Sequence, residues 1–213
     1  MINILCYGDS NTFGFVPVIM ERYAVNERWT GILQYILGDK YRIIENGLCG
    51  RTTMFNDPCK SSRNGLHSID ATLEISKPLD LVIISLGTND LKVKYSAPSN
   101  TITQGIKRII SAIRNYDYEI KCNVPKILVL APPPLGDKVE SVNNFSEFDK
   151  NSISVSKELS SKYKLLSEQE NVYFFDLGSI IKSSEEDQIH FTKESHKIVA
   201  EHLAEKIKNI FEK

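Results

Sequence analysis

Four short polar segments in the 213-residue chain carry residue types suited to acyl chemistry. Gly8-Asp9-Ser10-Asn11-Thr12-Phe13-Gly14 puts a serine in a glycine-bracketed turn, where its hydroxyl can be exposed while its backbone N–H faces an incoming oxygen. The same residues also suit a plain turn in which Ser10 serves only as a cap. A serine nucleophile needs a base, and the histidines are His67, His190, His196 and His202. His190 stands three residues after Asp187, so a single turn can bring carboxylate and imidazole together, the carboxylate fixing the tautomer and stabilising the imidazolium. A chance Asp-x-x-His in a charged loop has the same spelling. His196 and His202 fall among Lys and Glu in a helical stretch and read as solvated; His67 begins another helix.

Acyl transfer also needs donors aimed at the developing oxyanion. Asn89, in Gly87-Thr88-Asn89-Asp90, can offer a side-chain amide. Asn46-Gly47-Leu48-Cys49-Gly50-Arg51-Thr52-Thr53 holds two glycines that let backbone N–H groups approach a ligand, although glycine equally serves as a turn residue. Asp9 and Asp90 read as turn-holding carboxylates.

These segments need elements to position them. Apolar runs at Ile2–Tyr7, Tyr41–Ile44, Leu79–Leu86, Lys126–Ala131 and Val172–Phe175 predict five strands. Helical periodicity marks Trp29–Leu37, Leu66–Ser76, Thr101–Tyr116, Phe148–Leu166 and Lys193–Phe211, the last with an apolar stripe of Val199, Leu203, Ile207, Ile210 and Phe211 and an N-cap at Thr192. Such alternation predicts an α/β fold: three αβα layers, a five-stranded, mainly parallel sheet in the order 2-1-3-4-5, and one domain over residues 1–213. Ligands of such sheets sit beyond the carboxyl ends of the strands where the order reverses, which directs attention to the segments after Tyr7 and Leu86. The long connections Asn46–Gly65 and Pro132–Asn144 suit a site wall or a subunit contact.

Composition narrows the partners. The 26 Lys plus Arg nearly balance the 27 Asp plus Glu, for a formal net charge of -1 and no long like-charge block, which argues against nucleic acid. The apolar runs are too short to span a bilayer, and the start of the chain lacks a signal-peptide pattern, so no membrane partner and a cytoplasmic protein beginning at Met1 are expected. Cys6, Cys49, Cys59 and Cys122 lack C-x-x-C pairing and read as reduced thiols, with no metal site expected.

Together the four segments resemble those of the SGNH or GDSL hydrolases, in the right order and across nearly the whole chain. The resemblance implies Ser10 as nucleophile, Asp187 and His190 as its relay, and the Ser10 N–H, the Gly50 N–H and the Asn89 amide as the oxyanion hole, with no cofactor. Asn11 stands where the name-giving motif has leucine, which puts pocket shape in question; Asn11, Phe15, Thr88 and Ile189 are the expected substrate-lining residues. Arg28-Trp29-Thr30-Gly31, Gly50-Arg51-Thr52-Thr53 and Pro132-Pro133-Pro134-Leu135 are most similar to small oligomeric bacterial arylesterases and acyltransferases. That similarity implies a homo-oligomer acting on small, acetyl-sized esters, by hydrolysis or transfer to an alcohol. A carbohydrate O-acetylesterase with the same machinery is the second reading, and a flavodoxin-like module holding a nucleotide or FMN is the non-enzymatic one.

Overall fold

The computed structural model describes residues 1–119, 122–142 and 147–211. Asn143 and Asn144, the end of the long connection expected after the fourth strand, lie outside the described residues. The strands are β1 (Ile2–Gly8), β2 (Tyr41–Gly47), β3 (Leu81–Ser85), β4 (Lys126–Ala131) and β5 (Tyr173–Asp176). They form one sheet in the order β2-β1-β3-β4-β5, and every pairing is parallel. The expected order therefore holds.

Period-two alternation sends successive strand residues to opposite faces. Leu5, Tyr7, Val82, Ile84 and Val129 pack on one face, under α3 (Gly65–Ser76), α4 (Ser99–Asn115) and α6 (Lys150–Gln169). Ile4, Cys6, Leu81, Ile83 and Leu128 pack on the other, under α2 (Trp29–Leu37) and α7 (Lys193–Phe211). A sheet covered on both faces reads as near-continuous apolar runs, which is why the strands were visible in the sequence.

Boundaries moved where local bonds decide them. The α4 helix starts at Ser99 rather than Thr101, because the Pro98 carbonyl accepts the Thr101 and Ile102 N–H groups. The start of α6 moves from Phe148 to Lys150 because Asp149 and Ser152 form a reciprocal capping box. Thr192 caps α7 as expected, its hydroxyl accepting the Ser195 N–H at 3.1 Å. Two short helices were not anticipated: α1 (Ser10–Phe13) and α5 (Val139–Val142).

His196 corrects an expectation. It is fully buried, its Nδ1 accepting the Trp29 N–H at 3.2 Å and its ring edge-on to Tyr23 and Phe191. The charged neighbours suggested solvent, but position 196 lies on the same helical face as Val199, Ala200 and Leu203, and that periodicity decided its burial. His202 is exposed as expected.

Candidate active site

Ser10 opens the four-residue α1 directly beyond the carboxyl end of β1. Asp9, not Ser10, is the cap: its Oδ1 accepts the Asn11 N–H at 2.9 Å. The turn folds so closely on β1 that a Cβ at Gly8 would sit 2.0 Å from the Thr12 Oγ1, so only glycine fits. Ser10 itself is 6% exposed.

The loop between β5 and α7 brings His190 to it. The His190 Nε2 lies 2.9 Å from the Ser10 Oγ, and its Nδ1 lies 2.6 Å from the Asp187 Oδ2. The other carboxylate oxygen, Asp187 Oδ1, accepts the Ile189 N–H at 3.0 Å, the His190 N–H at 2.9 Å and the Ser184 hydroxyl at 2.8 Å. Burial alone would raise the Asp187 pKa, but the bonds from His190 and these backbone donors outweigh it and hold the carboxyl at about 2. It is therefore ionised throughout the neutral range. An ionised acceptor on Nδ1 fixes the tautomer that leaves Nε2 free to take the serine proton.

The segments carrying Gly50 and Asn89 are bound to the same strand ends. Leu48 N–H donates to the Gly8 carbonyl at 3.0 Å. The buried Arg51 guanidinium donates to the Gly8 carbonyl at 2.8 Å and to the Asn46 carbonyl at 2.6 Å, and stacks over the Tyr7 ring. Between them Gly50 turns the chain at φ +84°, a conformation glycine adopts without strain. Asn89 opens a short 3-10 turn after β3, and its Nδ2 donates to the Arg51 carbonyl at 3.2 Å, which leaves its second amide hydrogen for another acceptor.

Asp90 pins the two segments together. Both of its oxygens lie 3.0 Å from the Thr53 nitrogen, and Oδ1 also accepts the Thr53 hydroxyl at 2.5 Å. Burial pushes the Asp90 carboxyl up to about 7 against the opposing effect of those bonds, with the Asp9 charge adding to the rise. Burial likewise lifts Asp9 to about 6, against the Asn11 N–H and the nearby His190 and Arg51 side chains.

Beside His190 opens a cleft of about 490 Å³ lined by Phe15, Val18, Met20, Phe148, Ile189 and others. Of the four expected lining residues, Phe15 and Ile189 belong to it. Asn11 and Thr88 do not: both are buried, and the Asn11 Oδ1 is engaged by the Phe191 N–H at 3.0 Å. The residue that replaces the family's leucine thus braces the loop that carries His190. Arg51, Ser184 and Thr53 had no assigned work in the sequence, since their contacts come from segments distant in the chain or from loop geometry. Among the described residues, no group of three His, Cys, Asp or Glu side chains is arranged to hold a metal ion.

Comparison with known proteins bears on the family. The model of the GDSL-like lipase/acylhydrolase family matches residues 6–198. The native aryl esterase of M. smegmatis is 34% identical with a TM-score of 0.92, over 99% of this chain and 100% of that one. A carbohydrate acetylesterase from Sinorhizobium meliloti is 35% identical with a TM-score of 0.91 over the same shares. An acetylxylan esterase from Xylanibacter ruminicola is 34% identical over 113 residues, which make up 53% of this chain and 22% of that protein's length. A flavin-binding module would leave Asp187 and His190 without a role, whereas here they meet Ser10. With the fold, the order of the four segments and the family match in agreement, the chain belongs to the GDSL-like lipase/acylhydrolase family.

Proposed function

We propose that the protein is a serine esterase that cleaves small carboxylic esters through an acyl-enzyme. The observation that carries this reading is the continuous chain from Ser10 Oγ to His190 Nε2 at 2.9 Å and from His190 Nδ1 to Asp187 at 2.6 Å. His190 takes the serine proton as Oγ attacks the acyl carbonyl carbon. The Ser10 and Gly50 N–H groups and the Asn89 amide receive the oxyanion, and Asp187 stabilises the imidazolium. As the C–O bond breaks, His190 returns the proton to the departing alcohol. Water or a second alcohol, deprotonated by the same imidazole, then releases the acyl group.

Ser10→Ala tests this directly with p-nitrophenyl acetate. A folded variant with turnover reduced at least about 1,000-fold is expected. Undiminished turnover in that variant would exclude Ser10 as nucleophile.

Aryl and sugar esters remain two readings of one machinery. The apolar walls of the cleft and the burial of Trp29, the chain's single tryptophan, favour an aryl or alkyl alcohol over a sugar. The likeness to a carbohydrate acetylesterase and to part of an acetylxylan esterase favours acetylated sugars. Turnover of phenyl acetate compared with an acetylated xylose separates them.

The proposal extends to a homo-oligomer in a reducing compartment such as the cytoplasm. Exposed Val18, Ile19 and Met20, on the loop beside the cleft, support self-association, and four unpaired cysteines support the compartment. Light scattering of the purified protein tests the first; a monomer at micromolar concentration would overturn it.

A further inference from the structure

The cleft beside His190 is asymmetric with respect to the reacting groups. Its lining includes His190 but not Ser10, Gly50 or Asn89. In the esterase mechanism the leaving oxygen must be within reach of the His190 Nε2 to be protonated, while the carbonyl oxygen faces Gly50 and Asn89. The cleft thus meets the reacting groups at His190, the residue that must reach the leaving oxygen.

Its charge is one-sided as well. Among the described residues no Lys or Arg lines it, and its acidic groups are Glu147, Glu186 and Asp187. Asp187 is held by His190. Glu147 is paired with Lys92 at 2.8 Å and Lys94 at 3.9 Å. Glu186 is exposed and makes no ion pair among the described residues. Phe15 and Phe148 add aromatic surface to the same walls, and aromatic faces attract cations.

We infer that this cleft receives the alcohol portion of the ester, and that Glu186 makes it select alcohols bearing a positive charge over those bearing a carboxylate. The inference rests on the esterase reading. An unpaired carboxylate within about 6 Å of a substrate charge, at an intermediate effective dielectric, changes relative binding by about tenfold, and salt weakens the effect. The occupant this chemistry fits is a compact apolar alcohol with an ammonium or quaternary ammonium end.

The test compares kcat/KM for phenyl acetate, 3-(trimethylammonio)phenyl acetate and 3-carboxyphenyl acetate, each normalised to its rate with hydroxide. At low salt the cationic ester is expected to exceed the anionic one by about tenfold or more, and the ratio should shrink in 0.5 M salt. Glu186→Gln should lower the ratio at least about threefold and Glu186→Lys should invert it. Glu185→Gln, whose side chain borders a different cleft, should retain it. A wild-type ratio near one, or a ratio unchanged in Glu186→Gln, would overturn the role of Glu186. A Glu186-dependent ratio that instead follows charge on the acyl portion, measured with p-nitrophenyl hemiglutarate and p-nitrophenyl 4-(trimethylammonio)butanoate, would overturn the assignment of the cleft. Loss of phenyl acetate turnover in every protein, wild type included, would overturn the esterase reading itself and the inference with it.

Discussion

The Asn11 Oδ1 accepts the Phe191 backbone N–H at 3.0 Å, joining the turn that carries Ser10 to the loop that carries His190 across 180 residues of sequence. The Asn11 carbonyl also accepts the Trp29 indole N–H at 3.2 Å, so α2 is fastened to the same point. Asn11→Leu restores the family's residue in name but leaves the buried Phe191 N–H without its acceptor. An unsatisfied buried donor costs about 1–3 kcal/mol. Urea unfolding should record a loss of that size, and kcat should fall with it because the two loops are no longer held in register. Equal stability of variant and wild type would mean that the bond contributes nothing net.

The Ser184 hydroxyl is one of three donors on the Asp187 Oδ1. Ser184→Ala removes one of these and leaves the His190 bond intact, so kcat/KM should drop by less than about tenfold. Asp187→Asn removes the negative charge and offers His190 Nδ1 either an amide donor or a weaker acceptor, so its loss should be about 100-fold to 10,000-fold. Steady-state kinetics on one substrate give both values. A Ser184→Ala loss as large as that of Asp187→Asn would mean that the hydroxyl, not the charge, sets the relay.

Asn89 gives one amide hydrogen to the Arg51 carbonyl and, in the proposed mechanism, the other to the oxyanion. Asn89→Ala should reduce kcat about 100-fold to 1,000-fold, since the interaction strengthens as the oxyanion forms. KM for p-nitrophenyl acetate should move far less. A change confined to KM would remove Asn89 from the oxyanion hole.

Much of this site could be read in the sequence because its parts are local: a glycine-bracketed serine, an Asp three residues before a His, and an asparagine in a turn at a strand end. The sheet was legible for the same kind of reason, as both its faces are covered and its strands are apolar throughout. What escaped notice depends on segments that meet only after folding. Arg51 reaches the Gly8 carbonyl over 43 positions, and Thr53 finds Asp90 over 37. Asn11 was expected in a pocket wall because the motif suggests the position, while its partner, a backbone N–H at Phe191, has no sequence signature. His196 was different. Its spacing from Val199, Ala200 and Leu203 held the signal for burial, and the identity of its neighbours obscured it.

That buried histidine sets a pH dependence. Burial, then the nearby His190 and Arg28, depress the His196 pKa from 6.5 to about 3. The folded state therefore binds fewer protons here than the unfolded chain between these values. Its contribution to stability is complete above 6.5 and is lost as pH falls toward 3. Asp9 and Asp90 act in the opposite sense: raised to about 6 and about 7, they favour the fold at low pH and lose that contribution as pH rises through those values. His196→Gln keeps an acceptor for the Trp29 N–H, removes the titration and leaves both carboxylates in place, so their contribution cancels in the comparison. At pH 7 the variant should be the less stable protein, having lost the ring contacts with Tyr23 and Phe191. Between pH 7 and 4.5 the wild type should lose about 2–3 kcal/mol relative to the variant. Urea midpoints measured across that range check it, and parallel curves would mean that His196 titrates alike in the folded and unfolded states.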